Sequence, residues 1–260
     1  MVGESTAARY VDSSFYDRAN ASSQIMRLVN FPDGILPFLQ MENLATREAA
    51  TTFGCSVIVE FGCYDGRALE VARFSGTNYL GVDTDECAVR RLQQRIAKER
   101  LSRLANAVVG DALDPSTWCT SVVWPKPLHL LPFNLLGTFA QPQRLITSVS
   151  KVGGLAIFSV FDSSRLANAV RTEYYTKCGI RGLERKTLED GNVLFTGADG
   201  FYSRSFDERS MHLLMVKTGA TILRTVHNSV GQCVTVVLDA QEIVQPNAKS
   251  DRDRTLPIPQ

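Results

Sequence analysis

Three apolar runs in the first half of the chain each stop at a carboxylate. They are Val57-Ile58-Val59-Glu60, Asn78-Tyr79-Leu80-Gly81-Val82-Asp83 and Ala107-Val108-Val109-Gly110-Asp111. Short runs rich in β-branched residues fit strands buried on both faces. Between the first two, Ala68, Leu69, Ala72 and Phe74 recur at helical spacing; between the second and third, Ala88, Val89, Leu92 and Ile96 do so. Strands alternating with helices predict βαβ units and a mostly parallel sheet. Strand carboxyl ends in such a sheet line one crevice. Three acids there repel unless each faces a donor.

The first acid leads into Phe61-Gly62-Cys63-Tyr64-Asp65-Gly66-Arg67. Gly62 has no Cβ, so the backbone can turn tightly and approach a ligand. Asp65 is expected to cap a helix starting near Gly66. Strand, glycine turn and helix N-terminus form the place where α/β folds bind nucleotide-like ligands. Thr84 or Asp85 caps the next helix, and Glu86 and Arg90 form an i,i+4 pair. A nicotinamide dehydrogenase is the runner-up, but its G-x-G-x-x-G fingerprint is replaced here by Gly62-x-x-x-Gly66.

Ahead of these strands, Ser13 or Ser14 can cap a helix carrying Phe15, Tyr16, Ala19, Ile25, Met26 and Val29. Pro32-Asp33-Gly34 breaks it, and Ile35, Phe38, Leu39, Met41 and Leu44 mark a second helix. Residues 1–50 are expected to be a helical lid over the site, or packing at a sheet edge. Residues 128–131 read as a fourth strand, 143–150 as a helix and 155–161 as a fifth strand after the turn Gly153-Gly154. Ser163 or Ser164 caps a helix that stops at Gly179. A strand pair is expected at 192–196 and 200–204. Ser205 and Glu208 have capping-box spacing for a helix ending at Gly219. Strands at 222–227 and 232–238, joined by a short link, predict an antiparallel hairpin. The main domain is therefore expected over 51–240, and the polar, proline-bearing segment 241–260 as a flexible tail.

A net charge of +1 gives no global electrostatic case for nucleic acid or a membrane surface. No apolar run is of bilayer length. The first residues lack the basic-then-apolar pattern of a signal peptide. The cysteines form no CxxC pair and no zinc-spaced cluster with histidine, which fits reduced thiols in the cytoplasm and no metal. The basic run Arg90, Arg91, Arg95, Lys98, Arg100 and Arg103 reads as a solvated helix face.

Taken together, the motifs resemble those of class I S-adenosylmethionine-dependent methyltransferases. Glu60-Phe61-Gly62-Cys63-Tyr64-Asp65-Gly66 is similar to the family's first motif, Gly81-Val82-Asp83-Thr84-Asp85 to the second, and Gly110-Asp111-Ala112 to the third. Lys151-Val152-Gly153-Gly154-Leu155 resembles the turn before its fifth strand. The resemblance implies a Rossmann-like, seven-stranded, mostly parallel sheet whose last strand is antiparallel. It implies S-adenosyl-L-methionine as cofactor, with S-adenosyl-L-homocysteine as product. Glu60, Gly62, Cys63, Tyr64, Gly66, Asp83, Thr84, Asp111, Ala112 and Pro132 would line the cofactor. Asp83 would meet the ribose hydroxyls and Asp111 the adenine amino group. Two departures stand out: Tyr64 occupies the middle glycine position, and Val152 a position where proline is common.

The resemblance also implies a small-molecule substrate, methylated on nitrogen or oxygen in a biosynthesis of a specialised metabolite, by a monomer or homodimer. Rival readings are an RNA or protein methyltransferase and a binding protein that lost catalysis. The segment Pro132-Phe133-Asn134 lacks the asparagine-proline-proline-aromatic motif and resembles the phenylalanine-asparagine segment of bacterial small-molecule enzymes. Asn134 either orients a substrate group or caps the following turn. His129 is either a base or a structural residue facing a helix, since only one face of its strand nears the crevice. Tyr10, Tyr16 and Asp17 are candidates to fold over the site. Tyr174 and Tyr175 point different ways, so one is expected in the core and the other at the substrate. Phe201, Tyr202, Arg204 and Phe206 are expected either to roof the substrate or to pack as core.

Overall fold

The computed structural model describes residues 15–16, 21–119 and 125–238. The chain runs α1 (Ala21–Met26), α2 (Ile35–Thr52), β1 (Val57–Phe61), α3 (Ala68–Ser75), β2 (Asn78–Asp83), α4 (Glu86–Lys98), β3 (Ala105–Val109) and β4 (Pro127–Leu131). It continues through α5 (Pro142–Ser150), β5 (Gly154–Phe161), α6 (Arg165–Lys177), β6 (Glu184–Thr187), β7 (Val193–Thr196), β8 (Tyr202–Arg204), α7 (Glu208–Thr218), β9 (Thr221–His227) and β10 (Gly231–Leu238). Ser13, Ser14, Tyr10, Asp17, Ala19 and the 241–260 tail lie outside the described residues.

The main sheet has the order β3-β2-β1-β4-β5-β10-β9. β1 to β5 pair in parallel, and β10 is antiparallel to both its neighbours. This is the Rossmann-like arrangement expected, with chain order reversing between β1 and β4. Every residue of β1 and of β4 is buried, as central parallel strands with helices on both faces require. Alternate side chains feed two cores. Ile58, Leu128 and Ile157 pack with Ala45 and Ala49 of α2, Leu69 of α3 and Leu92 of α4. Val59, Phe158 and Val234 pack with Leu145 and Ile146 of α5 and Met211 and Met215 of α7.

α2 lies on the sheet. Its Phe38 stacks on Phe161 of β5 at 5.0 Å, and a Cβ on Gly231 of β10 would come within 2.5 Å of the Phe38 ring. α1 instead lies against α6, where Tyr174 Oη donates to Ile25 O at 2.7 Å and Gln24 Nε2 to Cys178 O at 2.6 Å. Three expected apolar contacts fail: Phe74, Val29 and Leu44 are 74%, 80% and 66% exposed.

Two expected helix caps are also replaced. Asp65 does not cap α3; Glu60 Oε2, from the end of β1, accepts the Ala68 N–H at 3.2 Å. Ser205 does not open α7; its hydroxyl accepts the Val193 N–H, and Asp207 caps through the Ser210 N–H at 2.7 Å. Asp85 caps α4, and Ser164 caps α6.

β6, β7 and β8 form a separate antiparallel sheet. All four residues of β6 are exposed, so no alternation marked it in the sequence. Arg171 of α6 is fully buried and fastens this sheet. Its guanidinium donates to Ser203 O at 2.7 Å and lies 4.5 Å from the Phe195 ring centroid. Asn134 is the second fastening. Its Nδ2 donates to Ser203 Oγ at 3.0 Å and Arg204 O at 3.1 Å, and its Oδ1 accepts the Phe161 N–H at 3.1 Å. Asn134 is therefore neither a substrate contact nor a side-chain cap.

His129 is equally committed. It is completely buried in β4, with Nε2 3.0 Å from Gly153 O and its ring against both Phe61 and Trp118. Burial lowers its pKa to about 4. It is a core residue, remote from solvent, and not a base in the crevice.

Replacing Asn134 by Ala leaves the buried Phe161 N–H without its acceptor and takes a donor from Ser203 Oγ and Arg204 O, so a stability loss of about 1–3 kcal/mol is expected in urea unfolding; a variant of unchanged stability refutes the fastening. For His129, the folded pKa lies below the unfolded value of 6.5. Its contribution is therefore complete above pH 6.5 and lost as pH falls towards 4. The stability advantage of wild type over His129→Asn should shrink by about 2–3 kcal/mol between pH 7 and pH 4.5. A pH-independent difference contradicts the neutral, buried imidazole.

Candidate functional site

A cavity of about 340 Å³ opens at the carboxyl ends of β1, β2 and β4 and along the segment after β3. Its floor is the turn after β1. Gly62 has φ +62°, and a Cβ there would sit an ordinary 3.5 Å from Leu135. The left-handed backbone, not crowding, is what favours glycine here. Gly66 lies behind the wall with φ +78°, and a Cβ would come 2.6 Å from Leu92 Cδ1. Arg95 Nη1 donates to Asp65 O at 2.9 Å and Gly66 O at 3.1 Å. Arg95 thus braces the turn and is not simply part of a solvated face.

Tyr64 has φ +47° and does line the cavity. Its N–H donates to Asp83 Oδ2 at 3.0 Å, and its hydroxyl lies 3.3 Å from Ser23 Oγ of α1. The Arg91 guanidinium sits 5.4 Å from its ring centroid. The side chain that replaces a glycine therefore runs from the turn to α1.

Asp83 lines the cavity from the end of β2. It accepts one backbone N–H on each oxygen, from Tyr64 and from Asp85 at 2.9 Å. Burial raises its pKa, and those donors pull it back. Asp111 lies at the exposed rim, with Oδ1 accepting the Leu113 N–H at 2.8 Å. Gly110, Ala112 and Leu113 continue this wall. Pro132, Phe133, Leu135, Thr138 and Phe139 form the wall after β4, and Tyr16, Ser22, Ile25 and Met26 close it from the N-terminal side.

Of the residues expected at a cofactor, Gly62, Tyr64, Asp83, Thr84, Asp111, Ala112 and Pro132 line this one cavity. Glu60, Cys63 and Gly66 do not. Glu60 is buried and occupied, its Oε2 accepting from Ala68 N–H and from Tyr79 Oη at 2.7 Å. Cys63 is buried beside Gly81. Of the residues expected at a substrate, Tyr16 and Phe133 line the cavity. Tyr174 is buried with its hydroxyl on Ile25 O, and Tyr175 is buried with its hydroxyl 2.7 Å from Ser203 Oγ. Tyr202 lies on β8, away from the lining. Arg204 pairs with Asp190 and covers the Phe206 ring at 5.1 Å. Phe201 packs on Phe15 and Tyr175. Of the cluster before α7, Phe201 and Phe206 are core, while Tyr202 and Arg204 are half-buried.

Sequence reading did not single out Arg67, Ser22 and Phe139 at the lining; Leu135 and Thr138 belong to the segment after the fourth strand where substrate contacts are expected. Arg67 follows the second glycine of the turn directly, so its position was the one available signal.

No family model matches the sequence, and no curated protein aligns with it. Solved structures do superpose. The 1,6-didemethyltoxoflavin-N1-methyltransferase of Burkholderia thailandensis, solved with 1,6-didemethyltoxoflavin and S-adenosylhomocysteine, matches with a TM-score of 0.57 at 12% identity, over 84% of this chain and 88% of that one. A S-adenosylmethionine-dependent methyltransferase of Clostridium acetobutylicum matches with 0.51 at 12%, over 77% and 92%. The glycopeptide N-methyltransferase MtfA, complexed with S-adenosylhomocysteine, matches with 0.51 at 15%, over 75% and 86%. The chain has the class I fold of S-adenosylmethionine-dependent methyltransferases.

Proposed function

We propose that the chain transfers a methyl group from S-adenosyl-L-methionine to a nitrogen or oxygen of a small molecule by in-line displacement. One observation carries this reading: Gly62, Asp83 and Asp111 surround a single cavity beside the point where strand order reverses. That is where open α/β sheets bind nucleotides. The donor set suits the cofactor. Gly62 presents bare backbone, and Asp83 keeps unused acceptor capacity for ribose hydroxyls. Asp111 and Ala112 lie one strand further out, where an adenine would reach. When bound, S-adenosyl-L-methionine supplies an electrophilic methyl on a sulfonium.

The protein's part is positioning. Phe133, Phe139, Ile25 and Met26 give the cavity an apolar wall, and in-line transfer needs the acceptor held roughly 3–3.5 Å from the methyl. With His129 and Asn134 committed elsewhere, the described lining contains no histidine, lysine or cysteine. An acceptor that arrives with a free lone pair needs positioning alone, and one that arrives protonated can pass its proton to water or to a lining carboxylate, Asp83 or Asp111. Tyr16 and α1, on the N-terminal side, serve as the cover, in keeping with a lid within residues 1–50. The largely apolar cavity suits a small acceptor. A polyanion is disfavoured by the α4 face, where Arg90 pairs with Glu86 and Arg95 with Glu70 and Glu99.

Calorimetry with S-adenosylhomocysteine tests the cofactor. Wild type should bind, and Asp83→Asn should bind about 10–100-fold more weakly, the worth of a lost charge-assisted hydrogen bond. Equal affinity removes Asp83 from the site. Tritiated methyl from the cofactor should enter the low-molecular-weight fraction of an extract; label confined to RNA or protein overturns the small-molecule reading.

A further inference from the structure

The cavity separates its charges. Asp111 and Asp83 stand after β3 and β2, on one side of β1. On the other side, after β4, the Arg67 guanidinium lies 5.3 Å from the Phe133 ring centroid. Arg67 is the one cation among the described lining residues.

Arg67 is held in place from behind. Glu42 of α2, 2% exposed, accepts from Arg67 Nη2 through Oε1 at 2.6 Å and from the Phe133 N–H through Oε2 at 2.7 Å. Both Glu42 oxygens are thus engaged by the guanidinium and by the strand-exit loop. Among the described residues, Arg67 Nη1 is buried with no hydrogen-bond partner. A guanidinium offers donors in a rigid fork that matches a carboxylate two-pronged. A buried donor left unpaired is costly, so an acceptor brought by a ligand removes that cost.

We propose that Arg67, positioned by Glu42, is the receptor for a carboxylate at the β4 end of the cavity. The inference rests on the methyltransferase reading for its choice of ligands. The carboxylate belongs either to the amino-acid end of the cofactor or to an acidic aromatic acceptor lying against Phe133. Both sources share one chemistry, and one set of titrations separates them.

S-adenosylhomocysteine carries the carboxylate, and 5′-methylthioadenosine shares its nucleoside but lacks it. Benzoate and benzamide, titrated into the S-adenosylhomocysteine complex, differ only in the acid. The variants are Arg67→Met and the paired E42Q/R67M, which leaves no buried charge without its partner. Retained 5′-methylthioadenosine binding shows that a variant is folded. If the cofactor brings the carboxylate, both variants bind S-adenosylhomocysteine about 10–100-fold more weakly and 5′-methylthioadenosine as wild type does. If the acceptor brings it, both nucleosides bind unchanged, and the wild-type preference for benzoate over benzamide disappears. Variants that match wild type for all the probes overturn the proposal. A wild-type chain that binds neither nucleoside refutes the methyltransferase reading instead, and the benzoate preference, titrated without nucleoside, still reads Arg67.

Discussion

The geometry of the site depends on one buried carboxylate. Glu60 is 1% exposed near the end of β1, and its Oε2 holds both the Ala68 N–H of α3 and the Tyr79 hydroxyl of β2. Three elements are pinned to one atom. The charge also faces the N-terminus of α3, where the helix dipole favours an anion. Burial still pushes its pKa up to about 7, against the pull of Arg67, Tyr79 and the Ala68 N–H. With α3 and β2 fixed in this way, the turn between Gly62 and Gly66 has one path. That path delivers the Tyr64 N–H to Asp83. The acid that reads as a cofactor ligand in the sequence is a brace behind the lining of the cavity.

Glu42 repeats the device on the other side of the cavity. It ties α2 to Arg67 and to Phe133, whose φ of +48° and that of Asn134, +63°, place two successive non-glycine residues in the left-handed region. Each such residue costs about 1–2 kcal/mol. The Glu42 bond to Phe133 and the bond from Asn134 N–H to Ser159 O at 2.8 Å hold the loop in that conformation. The two ends of the cavity are therefore shaped by carboxylates that never need to touch a ligand.

What was legible in the sequence was local. Val57 to Glu60, the alternation of strands with helices, and the stop signals at Gly179 and Gly219 depend on neighbours a few positions apart. The strand-end acids were legible too, because a parallel sheet brings its carboxyl ends together whatever the details. What was hidden depends on partners far along the chain. Asn134 is set by Ser203 and Arg204, about seventy residues later. The α3 cap comes from Glu60 across the turn, where Asp65 is nearer in sequence. β6 has no buried face, so nothing in its composition separates it from a loop. The tyrosines at 174 and 175 read as one core and one site residue, yet both hydroxyls are taken up by α1 and β8.

Tyr64 shows how such a chain couples its cover to its floor. A glycine there would relax a left-handed backbone by about 1 kcal/mol. The tyrosine offsets that cost with its hydroxyl near Ser23 and its ring near Arg91, a contact worth about 0.5–1 kcal/mol at an exposed site. The net effect on stability is therefore small, and its consequence lies in geometry. With glycine, α1 would keep its bonds to α6, through Tyr174 and Cys178, and lose this one to the turn. With tyrosine, α1 is joined to the same turn that carries Gly62 and, through its backbone N–H, Asp83. The residue that departs from the glycine pattern is thus the one that ties the floor of the cavity to α1.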